Sequence, residues 1–233
     1  MKLNILFEDS HIIVCEKPVG ISSQGSRGFD LDLTDLLKQH LAKQSKEKGE
    51  PYLGVIHRLD RPVGGVMVYA KTPFAAADLS KQVASYSIKK CYYAILCGIP
   101  KEKTATLIDY LAKDGKTNIS SVVASTLKEG KKAQLSYKIM STKEYLGEVL
   151  SLANVELHTG RHHQIRLQFA NINTPLWGDT KYNHEWKKSP TNHWVNIGLF
   201  SYCLEFTHPK TKKLLTFTLK PTDGIFELFD LKL

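Results

Sequence analysis

Hydrophobic and polar positions alternate in short runs along most of this chain, and only a few stretches recur with the 3.6-residue period of a helix. Leu3–Phe7 and His11–Glu16 are the first predicted strands, closed by the turn former Pro18-Val-Gly20. Leu33, Leu36, Leu37 and Leu41 then share one helical face behind Asp32, a predicted N-cap. Lys43–Pro51 is polar and reads as an exposed loop. Val66–Ala70 is a short apolar strand directly after Gly64-Gly65. Thr72-Pro73 opens a helix through Phe74, Ala77, Leu79 and Val83, with a capping hydroxyl and a proline whose missing N–H costs nothing there.

Tyr92–Cys97 and Val149–Leu157 are further strands, and Ala133, Leu135, Tyr137 and Ile139 alternate with polar residues as in a half-buried strand. A helix is predicted from about His162 to Asn171, with Ile165, Phe169 and Ile172 as its core stripe. Tyr202–Phe206 and Leu214–Leu219 form a hairpin around His208-Pro-Lys-Thr-Lys. Many sequential strands with few helices between them predict an α+β fold around a mixed, largely antiparallel sheet. No repeat or Pro/Ser-rich linker interrupts the chain, so residues 1–233 are expected to form a single domain without a separate N-terminal module.

Composition narrows the class. Hydrophobic residues at 42% and charged residues at 24% suit a soluble globular protein that needs no staples. No apolar run approaches the roughly 20 residues of a membrane-spanning helix, and the charged start does not suit a signal peptide. The expected location is the cytoplasm, with no membrane partner. Cys15, Cys91, Cys97 and Cys203 lie far apart with no Cys-x-x-Cys pair, so they read as small hydrophobes rather than ligands or disulfides. A net charge of +9 favours anionic partners, nucleic acid foremost.

The stretch richest in chemistry is Gly54-Val-Ile-His-Arg-Leu-Asp-Arg-Pro-Val-Gly-Gly-Val-Met-Val-Tyr-Ala-Lys71. It sets Asp60 among His57, Arg58 and Arg61, then ends the loop with Pro62 and two glycines that allow a sharp turn. Neighbouring guanidiniums favour the ionised acid, which can serve as nucleophile or base. The same pattern also suits a structural Asp–Arg ion pair.

His57-Arg58-Leu59-Asp60-Arg61-Pro62, with Gly64-Gly65 and the strand behind them, resembles the catalytic motif of RluA-type RNA pseudouridine synthases. Further segments resemble that family in chain order. These are Glu8-Asp9 through Lys17-Pro18-Val-Gly20, Lys90-Cys-Tyr92-Tyr-Ala94 through Gly98, and Thr159-Gly160-Arg161-His-His163-Gln164-Ile165-Arg166. Asn173-Thr-Pro175-Leu-Trp-Gly178-Asp179-x-x-Tyr182, Leu204 through His208-Pro209, and Leu219-Lys-Pro221 follow. Three departures bear on substrate choice: Val63-Gly64-Gly65 where Thr-Ser-Gly is frequent, His162 where a small hydroxyl residue is frequent, and Phe200-Ser201-Tyr202 where His-Ala is common.

The resemblance implies the pseudouridine synthase catalytic fold, with flanking helices and a central cleft. It implies a monomeric isomerase of uridine in ribosomal or transfer RNA that needs no redox cofactor, ATP or metal. By the same resemblance Asp60 is the essential carboxylate, Arg166 its guanidinium partner, and Tyr92 the residue packing on the target base. Regular strand geometry would turn Tyr93 to the opposite face. Arg58, Arg61, Arg161 and His163 are the expected RNA contacts, and the target nucleotide is expected to flip out of its stack. His162, His163, His184 and His193 invite a metal reading, but no spacing completes a ligand set, and a cation beside Arg166 would be repelled. An inactive, RNA-binding scaffold and a metal-dependent hydrolase are the competing classes. The first fits poorly with retention of Asp60, Tyr92 and Arg166, and the second lacks clustered ligands.

Overall fold

The computed structural model describes residues 3–25, 31–44, 49–186, 195–222 and 224–231. The chain packs into two compact units, Met1–Lys89 with Ser201–Leu219, and Lys90–Phe200 with Lys220–Leu233. Among the described residues no helix is long and apolar enough to cross a membrane.

In the first unit β1 (Ile5–Glu8) pairs antiparallel with β2 (Ile12–Lys17), and β2 with β4 (Gly64–Ala70), which also pairs with the short β3 (Gly54–Val55). β10 (Leu199–Thr207) neighbours β4 and carries the antiparallel β11 (Leu214–Thr218). Ile12, Val14, Val66, Val68 and Ala70 pack with Leu204 and Phe206 and with Ala75 and Leu79 of α2 (Pro73–Ala84). Cys15, Met67 and Tyr69 on the opposite face are equally buried. With both faces covered, β2 and β4 read as continuous apolar runs rather than alternations.

The helix starts follow their caps. Ahead of α1 (Leu33–Gln44), Asp32 Oδ1 accepts from Asp35 N at 3.0 Å and from the Thr34 hydroxyl. Asp35 Oδ2 accepts from Asp32 N in return at 3.0 Å, a reciprocal cap. Thr72 Oγ1 accepts from Ala75 N at 3.2 Å and starts α2 at Pro73. Lys43 and Gln44, expected in a loop, complete the last turn of α1, and residues 45–48 of that expected loop lie outside the described residues. At the β10/β11 turn, His208 Nδ1 accepts from Lys210 N (3.2 Å) and Thr211 N (3.0 Å). An N–H can only donate, so the ring proton sits on Nε2 and is given to Asp9 Oδ2 at 2.9 Å.

Among its described residues the second unit holds an antiparallel ladder in the order β5 (Lys89–Cys97), β9 (Glu148–Leu157), β8 (Lys131–Tyr145), β6 (Thr104–Asp114), β7 (Ile119–Val123). β6 and β7 escape the sequence reading. Adjacent apolar pairs such as Leu107-Ile108 and Tyr110-Leu111 break the two-residue alternation, and Ile108 points outward at 54% exposure.

The third helix, α3, is Gln164–Asn171 and begins two residues later than expected, because His163 takes a left-handed conformation (φ 52°). Every residue from Gln164 to Phe169 is buried, so the expected apolar stripe is too narrow, and Ile172 itself is only half-buried. The polar members are paired. Gln164 Oε1 accepts from Thr159 Oγ1 (2.7 Å) and Arg161 N (3.0 Å), Gln164 Nε2 donates to Gln168 Oε1 (3.0 Å), and Gln168 Nε2 donates to Asp109 Oδ2 (2.7 Å).

Candidate active site

Asp60 stands in the first unit at the head of a β-turn closed by Val63 N to Asp60 O at 2.9 Å. Both neighbours of Asp60 are pinned through their backbone. Ser23, only 4% exposed, donates Oγ to Leu59 O (2.8 Å) and accepts from Leu59 N (3.0 Å). On the other side Gly20 N donates to Arg61 O at 2.9 Å, and Arg61 Nε returns to Gly20 O at 2.8 Å. Asp60 itself remains partly exposed, and Arg58 and Arg61 are exposed beside it.

Lys17 completes this support. Its side chain is fully buried, and Nζ donates to Pro18 O (2.9 Å), Ile21 O (2.7 Å) and Arg61 O (3.2 Å). Burial pushes its pKa down to about 7, opposed by the Asp60 carboxylate and reinforced by Arg61. His57 belongs to the same frame. Its Nε2 accepts from Val68 N at 3.2 Å, so the ring is in the Nδ1-protonated form.

The two glycines do not make the turn, as the sequence had suggested; they open β4. Gly65 has φ +129°, and a Cβ there would lie 2.2 Å from Ser201 O. Its task is the close approach of β10.

In the second unit Arg166 is 4% exposed on α3 and forks onto Asp179, Nε to Oδ2 at 2.8 Å and Nη2 to Oδ1 at 2.7 Å. Asp179 Oδ1 also accepts from Lys181 N (2.8 Å) and Tyr182 N (3.1 Å). Burial alone would raise the Asp179 pKa. The Arg166 hydrogen bonds and charge, with the two backbone amides, outweigh it and hold the carboxyl below its ordinary range.

The Arg166 guanidinium lies 5.4 Å from the ring centre of Tyr182. The Tyr182 hydroxyl accepts from Ser120 N (2.9 Å) and pairs with His163 Nδ1 (2.8 Å). His162 stacks on His163 at 3.7 Å and reaches Ser120 Oγ at 2.8 Å through Nδ1. His163 is therefore buried with one nitrogen committed, and any RNA contact of this ring falls to its other atoms. Arg161 anchors Nε on Lys132 O at 2.9 Å. Tyr92 and Tyr93 lie opposite Val155 and Asn154 and are almost equally buried, at 5% and 4%, so burial does not separate them.

The expected residues thus fall into two groups: Arg58, Asp60 and Arg61 in the first unit, and Tyr92, Arg161, His163 and Arg166 in the second. Sequence reading assigned no role to Ser23, Lys17, Asp179 or Tyr182. The last three lie in recognised motifs, but no motif contains Ser23, whose partner is 36 residues away. Among the described residues no three His, Cys, Asp or Glu side chains gather as metal ligands, and His193 lies outside those residues.

Comparison with known proteins gives this arrangement a context. A sequence profile for RNA pseudouridylate synthase matches residues 11–171. The chain is 32% identical over 223 residues to an uncharacterized RNA pseudouridine synthase of Aquifex aeolicus, covering 94% of this chain and 69% of that protein. It is 31% identical over 218 residues to ribosomal large subunit pseudouridine synthase D of Nitrosomonas europaea, covering 91% of this chain and 60% of the relative. Transfer RNA pseudouridine synthase C of Vibrio parahaemolyticus is 29% identical over 98% of this chain and 94% of its own length. The structure of human RNA pseudouridylate synthase domain containing 1 superposes with a TM-score of 0.76 at 18% identity, over 94% of this chain and 84% of that one. The profile spans the Asp60 loop, the Tyr92 strand and the Arg166 helix, and the chain belongs to the RNA pseudouridylate synthase family, isomerases that act on RNA.

Proposed function

We propose that this chain isomerises uridine to pseudouridine within RNA, with the Asp60 carboxylate as catalyst. The bond from uracil N1 to ribose C1′ breaks, the base turns, and C1′ is joined to C5. C5 loses a proton and N1 gains one, so nothing is oxidised and no group is imported. The balance calls for neither a redox cofactor nor ATP. Asp60 acts as nucleophile or base. Arg166 is its guanidinium partner, planar and always charged. Tyr92 packs on the target base and assists removal of the C5 proton. Arg58, Arg61, Arg161 and His163 contact the RNA, and the target nucleotide leaves its stack at a cost of a few kcal/mol, least in loops. Relatives named for ribosomal and transfer RNA support one of these as the substrate.

The observation carrying this reading is the immobilisation of Asp60. Leu59 is held at both backbone groups and Arg61 at three points, while the acid between them keeps access to solvent. A reacting group needs that kind of fixed placement.

The test is to incubate the protein with unmodified ribosomal and transfer RNA transcripts in EDTA and detect carbodiimide-reactive pseudouridine. Product from the wild type, and none from an Asp60→Asn variant of equal RNA affinity, is the expected result. Comparable turnover in the variant would refute the role of Asp60. RNA binding without product from any transcript would favour an inactive, RNA-binding scaffold.

A further inference from the structure

Lys90 is a buried cation that the proposed chemistry leaves unused. It is 9% exposed, one position into β5 and two before Tyr92, so the two side chains share a strand face. β5 pairs Cys91 with Glu156, which sends that carboxylate to the other face. Among the described residues Lys90 has neither an ion-pair partner nor a hydrogen-bond acceptor. Burial alone accounts for its lowered pKa, with no carboxylate acting on it. A buried ammonium without a counter-charge is unfavourable unless an anion arrives to meet it.

The amine has a way out. Nζ lies 3.6 Å from the position a Cβ would take on Gly160, and Gly160 is exposed. The missing side chain is what leaves the ammonium accessible. Around this opening Thr159 N is bonded to Gln134 O (3.2 Å) and Arg161 N to Gln164 Oε1 (3.0 Å). The Gly160 amide between them donates to none of the described residues. Arg161 brings a second positive charge, with Nε fastened to Lys132 O. An ammonium, an amide N–H and an adjacent guanidinium are the donor set of a phosphate site.

We propose that Lys90 and the Thr159–Arg161 turn form an anion subsite that receives one backbone phosphodiester of the RNA substrate. The assignment rests on the reading of the chain as an enzyme acting on RNA, and it adds to that reading a cation separate from the exposed arginines. It also gives Gly160 a function, since any side chain there would cover the ammonium.

The experiment measures binding of labelled, unmodified transfer and ribosomal RNA transcripts over about 50 to 200 mM salt, for the wild type, Lys90→Met, Lys90→Arg and Gly160→Leu. Lys90→Met is expected to weaken binding roughly tenfold and to reduce the slope of log K against log salt by about one. Gly160→Leu should reproduce that slope change with the lysine still present, and Lys90→Arg should restore the slope. Thermal melting accompanies each variant. A slope unchanged in Lys90→Met, with or without a loss of affinity, overturns the proposal and leaves a lysine that merely packs. A wild type that binds none of the transcripts overturns it as well. The slope is read from binding alone, so its outcome is separate from pseudouridine formation and from the Asp60→Asn result.

Discussion

Ser23 holds Leu59 by both of its backbone groups, donating to its carbonyl at 2.8 Å and accepting from its amide at 3.0 Å. One hydroxyl thereby fixes the residue that precedes the candidate catalytic acid. Ser23→Ala leaves both Leu59 groups without this partner in a buried place, at a cost of about 1–3 kcal/mol. Urea unfolding should register that loss. Turnover should fall further than stability explains, on the order of tenfold to a hundredfold, because small misplacements of a reacting group are costly. A variant with wild-type kcat would show that the clamp is unnecessary for placing Asp60.

Gly65 offers a steric test. Alanine there would set its Cβ 2.2 Å from Ser201 O, on a backbone whose φ of +129° disfavours any side chain. The neighbour is backbone and cannot rotate away. Gly65→Ala should cost about 3 kcal/mol or more, or give insoluble protein. Gly20→Ala, with open space at its Cβ and only a left-handed φ to strain it, should cost about 1 kcal/mol. Equal melting temperatures for the two variants would contradict the close-approach argument.

Asp179 and Arg166 predict an acid limb. The Asp179 pKa in the fold lies below the ordinary 3.8, so the unfolded chain binds its proton first as pH falls. The stabilisation from this group is complete above about pH 4 to 5 and is lost as pH drops through the depressed folded value. Asp179→Asn should flatten the stability profile below pH 4. It should also lower stability at pH 7 by about 3–5 kcal/mol, since Arg166 would lose the buried carboxylate onto which it forks. An unchanged acid limb would mean that other carboxylates carry it.

Lys17 acts in the opposite pH range. Its folded pKa of about 7 lies below the ordinary 10.5, so between those values the unfolded chain carries a proton that the folded chain lacks. The Lys17 contribution to stability therefore rises with pH across that window and is constant below about 7. Lys17→Met should remove this slope from unfolding measurements made between pH 7 and 10. A wild-type slope retained in the variant would place the titration elsewhere.

Much of this was legible along the chain. The Asp60 loop announces itself by its charges and by the apolar strand behind it, and Thr72-Pro73 marks the start of α2 to the residue. β4, β9 and the β10/β11 hairpin appear where their apolar runs predict them. β6 and β7 do not, because a half-exposed ribbon leaves neither period intact. α3 misled in a different way. The apolar stripe read from its period is only part of what is covered, since Gln164, Arg166 and Gln168 are buried as well, each with a polar partner from Thr159, Asp179 or Asp109.

The order of residues by itself determined the strand-rich class, the acid and its flanking arginines, and the motifs that assign the family, because local periodicity and short spacings are written in neighbouring positions. Tertiary structure alone decided that Ser23 and Lys17 brace the Asp60 loop, that Asp179 grips Arg166, and that Lys90 lies bare beneath Gly160. Each of these is a meeting of groups 13 to 70 positions apart, and such meetings exist only once burial has removed water as the competing partner.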